Sequence, residues 1–267
     1  MWTSLYRAFG ALTDSERDFN LAAQRIQAAL LTVQVPAIAG LDIGVRASPA
    51  RQVGGDYIDL FPVGDQNLIF GLGDASGKSL SAALNALMLR YLVRGLVKAL
   101  SSDQLSAITA HVNDVVTEDL RGSDHFITFL IGSLEVSSGL MRIVNAGHEP
   151  PLILRVGGSA VEALPSRNLV LGVNGGLVYA SEVTTLEVGD LAVTYTDGLT
   201  EATNSRGELF TIERLAETIV AHRDLPCAEL ADCLFETVKN YAGQDMRDDA
   251  TVLVLRRTSE ADLRRAG

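Results

Sequence analysis

A chain of 267 residues, 47% hydrophobic and 21% charged, can bury a sizeable core, and it carries a formal net charge of −11. That charge argues against nucleic acid and anionic membranes as partners, because binding there rests on clustered Lys and Arg. No apolar run approaches the ~18 residues needed to span a bilayer, and residues 1–12 lack the continuous apolar stretch of a secretory signal, so the sequence predicts a cytoplasmic protein with one large domain and a short appendage.

The first predicted element is a helix over residues 14–34. Thr13 with Glu16 makes a capping box, and Phe19, Ala22, Ala23, Ile26, Ala29, Leu30 and Val33 recur at helical spacing before Pro36 and Gly40 end it. Strands are predicted around 41–47, 57–61 and 68–72. Two helical patterns follow. Ala83, Leu84, Leu87, Met88, Tyr91, Leu92, Gly95 and Leu96 form one apolar stripe, and Ser101 with Gln104 caps a second helix carrying Leu105, Ile108, Val112, Val115 and Leu120, so both stripes are expected in the core. Residues 126–196 read as a run of antiparallel strands, with turn signals at Ser137-Ser138-Gly139, Val156-Gly157-Gly158 and Val188-Gly189-Asp190. Helices around 211–221 and 228–241 precede a last strand over 251–256. This order predicts two packed sheets with helices outside. Cys227 and Cys233, six apart on a helix, fall on different faces and form neither a metal pair nor an obvious disulfide.

Four aspartates stand beside glycine or at the ends of apolar runs. They are Asp56 in Val53-Gly54-Gly55-Asp56, Asp74 in Gly73-Asp74-Ala75-Ser76-Gly77-Lys78, Asp197 in Thr196-Asp197-Gly198, and Asp248 in Arg247-Asp248-Asp249-Ala250-Thr251. Carboxylates are the ligands that hard cations such as Mg²⁺ and Mn²⁺ prefer, and Mg²⁺ keeps several waters, so a few aspartates suffice. Gathered without a cation, such groups raise one another's pKa by repulsion. Any one of them alone reads equally well as a turn aspartate. Other features carry less. A P-loop requires glycine five residues before the Gly77-Lys78 pair, where Leu72 stands; Lys78 and Ser79 read instead as a helix start with Ser79 as cap. His148, flanked by Gly147 and by Pro150 and Pro151, reads as a turn element rather than a base or ligand. Asp59 lies an odd number of strand residues from Asp56 and should face away from it, and Glu201 reads as a local hydrogen-bonding residue.

Taken in order, Pro49 to Asp56, Gly73 to Lys78, Phe126-Ile127-Thr128-Phe129, Asn145-Ala146-Gly147-His148-Glu149-Pro150-Pro151, Gly189-Asp190 with Tyr195 to Gly198, and Asp248 to Thr251 resemble the metal-dependent protein phosphatase 2C superfamily, in its bacterial branch of sporulation and general-stress phosphatases. The likeness spans roughly residues 20–257. Ala75, Ser79 and Glu149 depart from the usual valine, glycine and asparagine. The resemblance implies an α+β fold, a four-layer αββα sandwich of two mainly antiparallel sheets flanked by helices. It also implies two Mn²⁺ or Mg²⁺ ions: Asp56 would bridge them, Asp74 and the carbonyl of Ala75 would hold one, and Asp197 with Asp248 the other. A hydroxide between them would attack phosphorus in line, with no phospho-enzyme. Arg51, five residues before Asp56, stands where other members carry a phosphate-binding arginine. The implied substrate is phosphoserine or phosphothreonine on an anti-anti-sigma-factor-like protein in a partner-switching circuit.

These readings divide the chain into a segment 1–36, a phosphatase domain 37–257 and a polar tail 258–267. The apolar face of the first segment, preceded by Trp2, Leu5, Tyr6 and Phe9, is expected to form a homodimer or to dock a separate activator; packing as a plain structural helix is the alternative. Two other functions remain open: a hydrolase of a different phosphoprotein or small phosphoester, and a phosphatase-like module that binds partners without turnover.

Overall fold

In the computed structural model, described over residues 33–50, 54–77, 80–165, 167–243 and 246–259, strand and helix follow the apolar periodicity closely. The order is β1 (Leu41–Ser48), β2 (Asp56–Val63), β3 (Asn67–Ala75), α1 (Leu80–Ala99), α2 (Leu105–Asp119), β4 (Ile127–Glu135), β5 (Leu140–Ala146), β6 (Leu152–Leu154), β7 (Val161–Ala163), β8 (Glu182–Thr185), β9 (Leu191–Tyr195), α3 (Asp197–Thr200), α4 (Thr211–Ala221), α5 (Cys227–Tyr241) and β10 (Ala250–Arg257). One sheet runs β1-β10-β9-β6-β7 and the other β2-β3-β4-β5-β8, with every named strand pair antiparallel.

The layers follow from side-chain alternation along the strands. Successive strand residues face opposite sides, so Val252 and Val254 of β10 pack under α4 and α5 while Leu253 and Leu255 face the other sheet. That is why β10 is apolar on consecutive positions: both its faces are buried. Likewise Ile58 and Leu60 of β2 enter the layer between the sheets, whereas Tyr57 joins Ile69, Phe129 and Ile131 beneath α1 and α2. The result is the expected αββα sandwich. Pro62 is tolerated in β2 because that strand lies at a sheet edge.

Three details differ from the sequence reading. On α1 the fully buried stripe is Ala82, Ala83, Ala86, Leu89, Val93 and Val97; of the expected one Ala83 is buried and Leu87, Met88, Leu92 and Leu96 pack partly buried against the core, while Leu84 is 45% and Tyr91 69% exposed. At the N-terminal end of this stripe small alanines face the sheet, and Leu89, Val93 and Val97 continue it. On α2 the cap is not a Ser101–Gln104 side-chain box; Gln104 N–H donates to the Ser101 carbonyl instead. Val116 rather than Val115 enters the core of that helix. Cys227 is buried and Cys233 half-buried, both free. The predicted helix up to residue 32, Arg51, Lys78 and Ser79, and the tail from residue 260 lie outside the described residues. Among those described, no helix is long and apolar enough to cross a membrane.

Candidate metal centre

The two sheets deliver acidic residues to the same end of the sandwich. Asp56 opens β2 and sits directly across from Asp74, near the end of β3. In the other sheet, Asp197 follows β9 and Asp248 precedes β10, and the pairing of Val252 with Tyr195 brings those strand ends together. Cross-sheet hydrogen bonds join the two halves: the hydroxyls of Thr196 and Thr251 donate to Asp56 Oδ2 at 3.0 and 2.5 Å. Thr196 and Thr251 also bond each other, through Thr196 N–H to the Thr251 carbonyl at 3.0 Å and Thr251 N–H to Thr196 Oγ1 at 2.9 Å. Neither threonine was singled out from sequence, although each stands inside an aspartate motif.

To be ionised, the buried Asp56 carboxylate would need a counter-charge. Burial holds its carboxyl well above the usual carboxylate range; the Thr251 hydroxyl opposes that, while the charges of Asp74 and Asp249 push it further up. A carboxylate in this position is stabilised by a nearby cation.

Asp249 has a different task from its neighbour Asp248. It is buried, and its two oxygens accept the backbone N–H of Ala50 at 2.9 Å and of Gly55 at 2.7 Å. One carboxylate therefore anchors the chain on both sides of residues 51–53. The glycines allow the approach: a Cβ on Gly54 would lie 1.8 Å from Asp249 Oδ2, and one on Gly198 would lie 1.9 Å from the Asp249 carbonyl. A Cβ on Gly55 would fall 2.5 Å from the Ala75 carbonyl oxygen and 3.1 Å from Asp74 Oδ1, so glycine alone lets the backbone pass this close to both oxygens.

Next to this end lies the β5–β6 turn. Asn145 bonds three groups there, accepting from His148 N–H at 2.7 Å and donating to the carbonyls of His148 and Glu149 at 3.0 and 3.2 Å. His148 is a buried turn element, as expected, with Nδ1 2.9 Å from Thr128 Oγ1. Burial pulls its pKa down to about 4, offset in part by the Tyr195 backbone, yet Nε2 has no hydrogen-bond partner of good geometry. Glu149 is raised by burial and then by the charges of Asp197 and Glu201, with the Tyr195 hydroxyl 3.5 Å away. Asp59 faces away from the centre and forms a bidentate pair with Arg94 at 2.6 and 2.7 Å, so its exclusion from the acidic group holds.

Among the described residues, no three His, Cys, Asp or Glu side chains stand close enough together to hold an ion jointly. Asp56 and Asp74 are neighbours, and Asp197 and Asp248 are carried to the same sheet ends without their side chains being drawn into one cluster. In donor chemistry the place still fits a hard divalent cation. It offers carboxylate and carbonyl oxygens close to one another at Gly55 and a buried carboxylate short of counter-charge.

Comparison with known proteins adds the following. The family model of stage II sporulation protein E (SpoIIE) matches residues 64–258. The chain is 28% identical to the phosphoserine phosphatase RsbU of Bacillus subtilis over 235 residues, covering 88% of this chain and 69% of RsbU. It is 27% identical to protein IcfG of Synechocystis sp. over 263 residues, covering 88% of this chain but 40% of IcfG. Among solved structures, the RsbU and RsbW domains of Rv1364c from Mycobacterium tuberculosis align with TM-score 0.71 and 26% identity, over 85% of this chain and 62% of that one. The catalytic domain of the serine/threonine phosphatase PstP, solved with 2 manganese ions, aligns with TM-score 0.60 and 14% identity over 82% of this chain and 99% of that one, a likeness of fold.

Proposed function

The chain belongs to the stage II sporulation protein E family, whose members and structural neighbours are metal-dependent phosphatases of the 2C type, and on that premise we propose that it hydrolyses phosphoserine or phosphothreonine on a protein. The observation that carries the reading is the meeting of Asp56 with Asp74 across β2 and β3, tied to the other sheet by Thr196 and Thr251.

In this reading Asp56, Asp74, the Ala75 carbonyl, Asp197 and Asp248 hold two Mn²⁺ or Mg²⁺ ions. When bound, the ions supply water activation and neutralise charge on the phosphoryl group. The chain's own groups prepare the place. Thr196 and Thr251 fix the orientation of Asp56, and Asp249 holds the Ala50 and Gly55 amides so that the segment leading into Asp56 keeps its course. Gly55, with no Cβ, lets the backbone pass close to Ala75 O. Because Asp249 spends both oxygens on amides, Asp248 is the better ligand of the adjacent pair. Arg51, in the segment that Asp249 brackets, would hold the substrate phosphate bidentately.

The substrate we propose is a phosphorylated anti-anti-sigma-factor-like protein in a partner-switching circuit of the cytoplasm. The similarity to a phosphoserine phosphatase over 88% of this chain supports that substrate class. Residues 1–36 would form a homodimer or dock an activator, since their sequence holds no candidate ligand and carries an apolar stripe at helical spacing. A non-catalytic binding module is the second reading, and it draws on the separation of the acidic side chains. The full set of four aspartates counts against it. Hydrolysis of p-nitrophenyl phosphate with Mn²⁺, abolished by EDTA, is the expected result; no turnover at any Mn²⁺ concentration would leave the binding module.

A further inference from the structure

A cavity of about 310 Å³ lies between the end of α2, the loop that follows it and residues 172–173, and its lining includes Leu120, Arg121, His125, Phe126, Gly172 and Val173. Its walls are built rather than incidental. The buried side chain of Asn113 accepts from Gly172 N–H at 3.1 Å and donates to the Asn174 carbonyl at 2.7 Å, while Asp114 accepts from Gly176 N–H at 2.7 Å. Leu171 and Ile127 exchange both backbone hydrogen bonds, at 2.9 and 3.1 Å. Gly172 adopts φ +92°, and a Cβ there would come within 2.9 Å of Leu120, so the segment can close on α2 only with glycine at that position. Four attachments thus hold one wall against the other.

Two residues of the cavity's lining, His125 and Phe126, meet the strand end that carries the candidate metal centre. Ser76 follows Ala75, its N–H donates to the Phe126 carbonyl at 3.0 Å, and its hydroxyl accepts from Phe126 N–H at 2.9 Å and lies 3.3 Å from His125 Nδ1. Two residues beyond Phe126, Thr128 of β4 is paired with Asp74 itself. Neighbouring strands are ~4.8 Å apart and an extended chain advances ~3.3 Å per residue. A polypeptide whose phosphorylated residue sits at the centre therefore carries a flanking side chain within reach of the cavity.

Phe126 and Val173 keep 41% and 49% of their surface exposed on these pinned walls, although the fold buries most of its large apolar residues. Leu120 forms the apolar floor, and Arg121 and Asp124, of opposite sign, give the lining no net charge to select a charged group. We propose that this cavity receives an apolar side chain flanking the phosphorylated residue of the protein substrate, and so sets sequence preference. The proposal rests on the phosphatase reading of the adjoining centre.

The test is kcat/KM on a panel of phosphoserine peptides in which each flanking residue in turn is Leu or Ser, beside turnover of p-nitrophenyl phosphate, which is too small to span both places. The wild-type chain is expected to prefer Leu at one flanking position by about tenfold or more, the discrimination an apolar pocket supplies. Val173→Trp, which fills the cavity, and Phe126→Ala, which removes a wall, should erase that preference while p-nitrophenyl phosphate turnover and the circular dichroism melt stay unchanged. Turnover of p-nitrophenyl phosphate with no preference at any flanking position overturns the docking cavity alone, as does a preference that survives in both variants. Absence of p-nitrophenyl phosphate turnover in the wild type overturns the phosphatase reading and the cavity with it.

Discussion

Asp248 and Asp249 are adjacent in sequence yet separate in task, and the separation is testable. Asp249→Asn keeps one acceptor but turns an amide donor toward a buried backbone N–H, which should lower stability by about 1–3 kcal/mol in a denaturant titration. Asp248→Asn should instead weaken Mn²⁺ binding with the fold unchanged, and the reverse ranking would swap the two assignments. Asp56 offers a stability counterpart. Its carboxyl is raised above 3.8 by burial, so the stability it contributes is present below that value and is lost as pH rises through the raised one. Ionising Asp56 inside the fold therefore costs stability in the metal-free protein. Asp56→Asn should melt higher than wild type in EDTA and gain less from Mn²⁺, and an equal or lower melting temperature in EDTA would contradict this. His148 has the opposite sign: with its pKa lowered from 6.5 to about 4, its contribution is full above 6.5 and is lost as pH falls through about 4. His148→Gln should flatten the fall of melting temperature across that window, measured by scanning calorimetry. Asp56, Asp74 and Asp197 were singled out in sequence by an adjacent glycine and Asp248 by its place before an apolar run, and the structure brings Asp56 opposite Asp74; the Thr196 and Thr251 hydroxyls and the anchoring by Asp249 depend on two sheets meeting, which no local pattern encodes.

At the scale of elements, the helix α1 packs on β2 and holds the strand that carries Asp56. Ala82 of α1 is 3.3 Å from where a Cβ on Gly55 would be, and further along the same helix Arg90 and Arg94, one turn apart, tie it to β2 through the buried Asp59. Removing one partner of a buried ion pair ordinarily costs about 3–5 kcal/mol. Here Arg94 is 38% exposed and Arg90 remains 3.5 Å from Asp59, so Arg94→Ala should cost about 2 kcal/mol, less than that range. Chemical denaturation checks the value, and a change within error would mean that Arg90 alone suffices. Strand positions were readable because burial on both faces leaves continuous apolar runs such as β10, and turns were marked by Gly139, Gly157 and Gly189, all at positive φ. The face of α1 was misread in part for a physical reason. Large apolar side chains do not mark the start of its buried stripe, where α1 presents Ala82 and Ala86 to the sheet.

Over the whole molecule, an acidic chain with net charge −11 must attract an anionic phosphoprotein locally, through bound cations and a few guanidinium groups rather than through its overall field. The central claim is that cations held by the four aspartates perform the chemistry. The measurement that reaches it most directly is phosphate release from a phosphoserine protein as a function of Mn²⁺, for wild type and Asp74→Ala. The account expects saturable, Mn²⁺-dependent release in the wild type, abolished by EDTA and restored by added Mn²⁺. It also expects a loss of about 10²-fold or more in Asp74→Ala at equal Mn²⁺, with the melt of that variant in EDTA no lower than wild type. Release that persists in EDTA, or an Asp74→Ala variant that matches wild type in both rate and Mn²⁺ dependence, would contradict it.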